Sequence, residues 1–315
     1  MPAIDFMTLL SYLDLCTTEE LEIITQHATG ANDHERVISA LNIIATRRKE
    51  CPHCHSKEVK LWGKSVKLQR FRCSECGKTY TSLTKTPLSG LHRREMWVKM
   101  ARAINECLSV KKTAERCGVS IATAFRWRHR FLARTSKAVS DKLQGIVEID
   151  ETYFLHSCKG QRGLGRPSRH RGGKARKRGL SSEQVPVLVA MDRRGNVVDM
   201  VMPNRRAQSV AEALSGKIAP SSVVCIDGAD ALLEAASRQG LQVKMIAPGR
   251  HVHAKEPIYH IQSVNGYHSR LKLWIKQFKG VATKYLQNYL GWRRMFELSD
   301  GGIPPLVWLQ AAVRA

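Results

Sequence analysis

The chain reads as an α/β protein assembled in modules, a metal-stapled ribbon and a helix-turn-helix standing ahead of a larger domain of alternating strands and helices. Three observations predict it. From residue 145 onward, strand-like runs (GIVEID, VPVLVAMD, NVVDMVM, SVVCIDG, LQVKMIA) alternate with helical segments near 207–218 and 228–240 and an amphipathic stretch near 258–279. Two C-x2-C pairs lie close together, and a basic segment carries helix, glycine turn and helix in short order. At 315 residues with 43% apolar content, the chain can fill more than one core. Lys and Arg number 51 against 27 Asp and Glu, a formal charge of +24 that disfavours an acidic small-molecule specialist and favours a polyanion, first of all nucleic acid. No apolar run reaches the ~18 residues of a membrane span. Asp5 and Asp14 stand where a signal peptide carries positive charge, so a cytoplasmic protein with no membrane partner is expected. Nine cysteines, an odd number, suit a reducing compartment and a metal better than a disulfide framework.

Residues 1–48 read as a helical region, with Thr17 and Glu20 spaced as a capping box ahead of Leu21, Ile23, Ile24 and His27. Residues 49–88 form the ribbon. Cys51 and Cys54 precede Cys73 and Cys76 by a spacing that brings four thiolates into a tetrahedron around a structural Zn2+, and a segment this poor in apolar surface needs the ion to fold. Four cysteines leave no open coordination position, and a redox dithiol needs only one pair. Trp62, Phe71 and Tyr80 read as ribbon packing rather than base-stacking platforms.

Residues 89–143 hold the helix-turn-helix. Residues 109–132 place Ala114 and Gly118 between two short helices, with Val119, Ala124, Trp127 and Phe131 inward. The second helix is expected to expose Thr123, Arg126, Arg128, His129 and Arg130 to a DNA major groove, the alternative being an ordinary helical pair with solvated charges.

Residues 144–300 form the α/β domain, and residues 301–315 read as a tail. Period-two arithmetic puts Ile146, Glu148 and Asp150 on one face of the first strand, with Asp150 expected at its end and Asp227 at the end of a later one. Strand-end aspartates commonly cap helices or form turns. Two that converge in so basic a protein would instead suit Mg2+ bound together with substrate phosphate. In the long helix, Asn265, His268 and Lys272 recur on a face beside the apolar stripe of Ile261, Val264, Leu271, Trp274, Ile275 and Phe278. Asn265 can offer a carbonyl oxygen to a metal and Lys272 can meet a phosphate, or Asn265 and His268 hydrogen-bond locally. Glu256 is followed by Pro257 and precedes the helix, off the Asn265 face. Residues 159–179, rich in Gly and Arg with no acid, read as a loop tracking DNA backbone through Arg169, Arg171, Lys174, Arg176, Lys177 and Arg178.

Residues 50–297 together resemble the zinc-ribbon, DDE-type insertion-sequence transposases of bacteria, in the group whose third catalytic position is Asn, Glu or His. The resemblance rests on CPHC, CSEC, TAERCGVSIATAFRWRHRFL, EIDETYF, KRGLSSEQVPVLVAMDRRG, CIDGAD and HIQSVNGYHSRLKLWIKQFKGVATKYLQNYLGWRR. It implies a ribonuclease H-like mixed-sheet catalytic domain, with Asp150 and Asp227 matching the two aspartates, Asn265 the third position and Lys272 the downstream lysine. Catalytic Mg2+ or Mn2+ held by Asp150, Asp227 and Asn265, and structural Zn2+ in the ribbon, are implied with it. So are double-stranded DNA partners (terminal inverted repeats and target), at least a homodimer on DNA, and a nucleoid-associated location when bound. Asn265 in place of Glu removes one negative charge from the site. A catalytically silent DNA-binding regulator and a structure-selective DNA nuclease are the rival readings.

Overall fold

The structure is a computed structural model that describes residues 12, 13, 15–21, 24, 32–48, 50–137, 142–165, 167, 173, 175–177, 181–247, 253, 256–299 and 302–313. The chain divides into two compact units, one of residues 1–134 and 304–315 and the other of residues 135–303.

The first unit contains α1 (Asp33–Arg47), the ribbon strands β1 (Val59–Ser65), β2 (Leu68–Cys73) and β3 (Thr79–Tyr80), then α2 (Trp97–Asn105), α3 (Val110–Cys117), α4 (Ile121–Leu132) and α9 (Pro305–Val313). Upstream of α1, the Thr17 amide donates to the Glu20 carboxylate and the Glu20 amide to the Thr17 hydroxyl, the reciprocal capping pair its spacing predicts. The ribbon is an antiparallel sheet in the order β1-β2-β3. Helix α3 starts on the Ser109 side chain and stops at Gly118, whose φ of 58° is the left-handed turn that releases the chain into α4; Ser120 caps α4 through the Thr123 amide. Residues 301–315 are no tail: Pro305–Val313 is helical, burying Trp308, Leu309 and Ala312, and the Trp308 indole donates to Asn105. That helix is apolar on nearly every side, so it lacks the one-sided periodicity by which a sequence shows a surface helix.

The second unit is a five-stranded mixed sheet in the order β6-β5-β4-β7-β8, with β4 (Ile146–Leu155), β5 (Gln184–Asp192), β6 (Val197–Val201), β7 (Val223–Ile226) and β8 (Gln242–Met245). The first three strands run as an antiparallel meander, and β7 and β8 add parallel to β4. This is the ribonuclease H-like arrangement. Strand β5 is buried on both faces, which is why it reads as a continuous apolar run rather than an alternation. One face packs α5 (Ala207–Leu214) and α6 (Asp230–Arg238) on Val147, Ile149 and Leu188. The other packs α7 (Gln262–Lys276) and α8 (Leu286–Glu297), through Val264, Tyr267, Leu271 and Leu290, on Val187, Val189 and Cys225. The face of β4 carrying Glu148 and Asp150 therefore looks toward α7.

Helix α8 lies so close to the turn at Thr135–Lys137 that a Cβ on Gly291 would sit 2.5 Å from the Ser136 nitrogen and 2.6 Å from the Thr135 hydroxyl. Gly291→Ala should cost about 1–3 kcal/mol through overpacking, read as a lowered urea midpoint with an unchanged m-value.

Candidate active site

Strands β4 and β7 are in parallel register, with Val147 opposite Val224 and Glu148 opposite Cys225. Continuing that register by two residues sets Asp227 beside Asp150, on the face looking toward α7. The Asp227 carboxylate also accepts the Ala229 amide at 3.2 Å, so the turn into α6 holds it. Asp150 accepts the Glu151 amide at 2.7 Å and is only 20% exposed at its side chain. Burial pushes its carboxyl up to about 6, and the nearby charges of Asp227 and Glu151 add to the rise while Lys272 opposes it. The Asp227 and Lys272 charges are thus within electrostatic reach of Asp150.

From α7, the His268 Nδ1 lies 3.6 Å from the Asp150 Oδ2, and its buried Nε2 has no partner among the described residues. Burial, then the Lys272 charge, pushes the imidazole down to about 4, so it is neutral at neutral pH. Asn265 lies one helical turn before His268, half-buried, and Lys272 one turn after it, exposed. Glu256 is held by Lys244 at 2.6 Å, an ion pair that accounts for it apart from this cluster.

Two buried carboxylates fix α7 on the sheet, and neither was singled out from the sequence. Glu148, 1% exposed, accepts the Val264 amide at 2.9 Å in the first turn of α7 and pairs with Arg193. His260 comes within 3.2 Å of the same carboxylate, and Arg193 also donates to Ser263 at 3.1 Å and to the Ile258 carbonyl at 3.0 Å. Further along, Tyr267 donates to Asp199 at 2.5 Å, and Asp199 pairs with the buried Arg294 of α8 at 2.9 Å. The one available signal was Glu148 lying a single strand period before Asp150; its partners are 45 and 116 residues away.

The family model of the ISXO2-like transposase domain matches residues 142–293, the segment that carries every residue of this cluster. Those residues are similar to that transposase domain. A protein of Halobacterium salinarum, described as an uncharacterized protein in transposable element ISH50, is 28% identical over 253 residues, which span 79% of this chain and 84% of that one. Among solved structures, a simian T-cell lymphotropic virus intasome aligns at 9% identity and a TM-score of 0.31, covering 69% of this chain and 74% of that one. The Mos1 mariner paired end complex with Mn aligns at 15% identity and a TM-score of 0.24, covering 68% and 76%. At such scores the likeness supports no further step.

Within the second unit, Arg176 and Lys177 of the basic loop are exposed, and the Arg176 amide donates to Glu183 at 2.6 Å. Arg169, Arg171, Lys174 and Arg178 lie outside the described residues. Among the described residues, no helix is long and apolar enough to cross a membrane.

In the first unit, the four ribbon sulfurs lie within 4.8 Å of one another, with Cys51 and Cys76 at 3.7 Å and Cys54 and Cys73 at 3.6 Å. Sulfurs at ~2.3 Å from a tetrahedral Zn2+ stand about 3.8 Å apart, so the residues fit the ion. Each knuckle closes identically: the amides of His55 and Gly77 return to the carbonyls of Cys51 and Cys73, with both donors at positive φ.

The second helix of the helix-turn-helix differs from its sequence reading. Arg126 is exposed and Thr123 half-buried, flanking a cleft of about 570 Å³ whose rim includes His92 and Arg93. Arg128 is buried and donates to the Leu108 carbonyl at 2.5 Å and to Thr113 at 2.9 Å. It is a strut between α3 and α4, lying four residues after the buried Ala124 and three before the buried Phe131, on the inward face of α4. His129 is also buried, and Arg130 is half-buried and donates to the Ser89 carbonyl at 2.7 Å.

Arg128→Met should therefore lower the unfolding temperature by leaving Leu108 and Thr113 without their donor, whereas Arg126→Gln should leave it unchanged. A second expectation concerns Asp150. With its pKa raised, the native state binds protons between roughly pH 4 and 6 that the unfolded chain has released, so the ionised group opposes folding above pH 6. Asp150→Asn, measured without added divalent cation, should gain on the order of 2 kcal/mol at pH 7.5 and progressively less toward pH 4.

Proposed function

We propose that the chain is a DNA transposase whose α/β unit cleaves and joins DNA strands with the help of divalent metal, while its helix-turn-helix binds the terminal inverted repeats. The observation that carries this reading is Asp150: a half-buried carboxylate in the middle of β4, which runs on to Leu155 rather than ending at Asp150 as expected, beside a second from Asp227 just past the end of β7, with the Lys272 charge in reach of both it and His268. Nothing in such an arrangement favours the fold, and a divalent cation offsets the acids' mutual repulsion. The donor set fits a hard cation: two carboxylates, with the Asn265 amide oxygen one helical turn before His268. Mg2+ or Mn2+ there would supply Lewis acidity toward a scissile phosphate and make water or a terminal 3′-hydroxyl easier to deprotonate.

The chain's own residues do the rest. Asp150 and Asp227 hold the cation, and Asn265 completes or orients its ligand sphere without adding charge. Lys272, exposed at the rim, neutralises a phosphate. His268, neutral and packed beside Asp150, restrains that carboxylate. In the first unit, Arg126 and Thr123 meet the duplex from α4, with His92 and Arg93 beside them. In the basic loop, Arg176 and Lys177 follow DNA backbone. Pairing two ends calls for at least two protomers.

The deciding experiment incubates the protein with Mg2+ or Mn2+ and DNA carrying the element's ends. Joined product is expected; cleavage without joining would make it a nuclease, and binding alone a regulator. Asp150→Ala and Asp227→Ala should each reduce joining more than about 100-fold while retaining duplex affinity. Treatment with a zinc chelator should release one equivalent of zinc, and chelation or Cys73→Ser should unfold the ribbon, read as lost zinc content and a lowered unfolding temperature.

A further inference from the structure

The ribbon sheet has one face that its fold does not use. Lys60 of β1 stands directly opposite Arg72 of β2, and strand alternation puts Trp62 and Arg70 on that same face, with Thr79 of β3 opposite Arg72. On the other face Phe71 stacks on Tyr80 at 5.4 Å and is buried, so ribbon packing is complete without Trp62. Contrary to the packing role expected of it, Trp62 is 42% exposed.

Its ring is nonetheless held. The Arg72 guanidinium lies 4.6 Å from the ring centroid, and the register slips just after it, where Gly63 takes a φ of 67° and its carbonyl accepts from the Gln69 side chain at 2.8 Å. The hairpin is braced as well: Asn42 of α1 accepts the Gln69 amide at 2.9 Å and donates to the Lys67 carbonyl. Among the described residues Lys60, Arg70 and Arg72 form no ion pair with a carboxylate. Arg70 reaches only the Thr79 hydroxyl, at 3.4 Å.

We propose that this face binds single-stranded DNA, with one base stacked on the open side of Trp62 and the flanking phosphates on Lys60, Arg70 and Arg72. Three unpaired cations select a polyanion, and an oriented indole on a sheet surface selects a base whose π-face is free. In a duplex those faces are stacked on one another, and a ring lying on a sheet meets only base edges. The assignment rests on the reading of the chain as a DNA-processing protein, and adds an unpaired strand to the duplex held by α4.

The test compares full-length zinc-loaded protein and its variants on a labelled oligo-dT of about 15 nucleotides and on a blunt duplex. Trp62→Ala should weaken oligo-dT binding about 5- to 100-fold with little change on duplex, and Trp62→Phe should restore most of it. Lys60→Gln and Arg70→Gln should each flatten the salt dependence of oligo-dT binding. Zinc content equal to wild type confirms an intact ribbon. Unchanged oligo-dT binding in Trp62→Ala, an equal loss on both probes, or preference for oligo-rU over oligo-dT overturns the assignment. Wild-type protein that binds duplex but not oligo-dT overturns this inference alone; protein that binds neither overturns the DNA-processing reading with it.

Discussion

The placement of α7 across the sheet is the constraint on which the rest of the α/β unit depends. The roles proposed for Asn265, His268 and Lys272 require one helix face to meet the middle of β4 and the end of β7 in a fixed register. A rotation of one residue, about 100°, would turn that row away. Apolar packing by Val264, Leu271 and Ile275 holds the helix down but tolerates sliding. The Glu148 carboxylate does not, because it accepts one particular amide, that of Val264, and is itself pinned by Arg193. Asp199, through Tyr267, supplies a second fixed point two residues beyond Asn265. Buried acids of this kind add little net stability, because desolvation consumes most of the Coulombic gain. Their benefit lies in specifying a single arrangement.

The same low-dielectric surroundings act in opposite senses on the two groups at the centre of the cluster. Burial raises the Asp150 carboxyl and lowers the His268 imidazole, so both are driven toward neutrality. For His268 the neutral state is the one that prevails near neutral pH, kept so by burial and by the Lys272 charge. The metal-binding role proposed for Asp150 requires the ionised state, so there the fold and that chemistry disagree. The sheet core contributes the rigidity that holds the conflict in place, with Val147 and Ile149 buried on either side of Glu148 and the whole of β5 buried beside β4.

Features that depend on local spacing were legible in the sequence. The cysteine knuckles, the Thr17 capping pair, the glycine turn between α3 and α4, and the period-two placement of Glu148 and Asp150 all follow from residues within a few positions of one another. Features that depend on distant partners were not. Nothing near Arg193 indicates that it meets Glu148 across 45 residues, and nothing near Arg128 indicates a Thr113 hydroxyl waiting 15 residues upstream. Trp62 was misread for a related reason: an aromatic in a small module is normally needed for packing, and only the Phe71–Tyr80 stack shows that the need had been met.

These corrections change what the net charge means. A formal +24 invites the picture of a uniformly basic surface, yet several of the cations are internal parts. Arg128 and Arg294 are buried, Arg193 spends its guanidinium on Glu148 and the start of α7, and the Lys159 ammonium caps the carbonyls of Lys279 and Gly280 at 3.1 and 2.8 Å just beyond that helix. An arginine can brace a fold because its planar fork satisfies several acceptors at once and it stays charged when desolvated. The cations left without such work are the informative ones. In the first unit they include Arg126 beside the α4 cleft and Lys60, Arg70 and Arg72 on the ribbon sheet. A polyanion is attracted by the whole field, but the contacts proposed above use the charges that the fold leaves exposed rather than the sum.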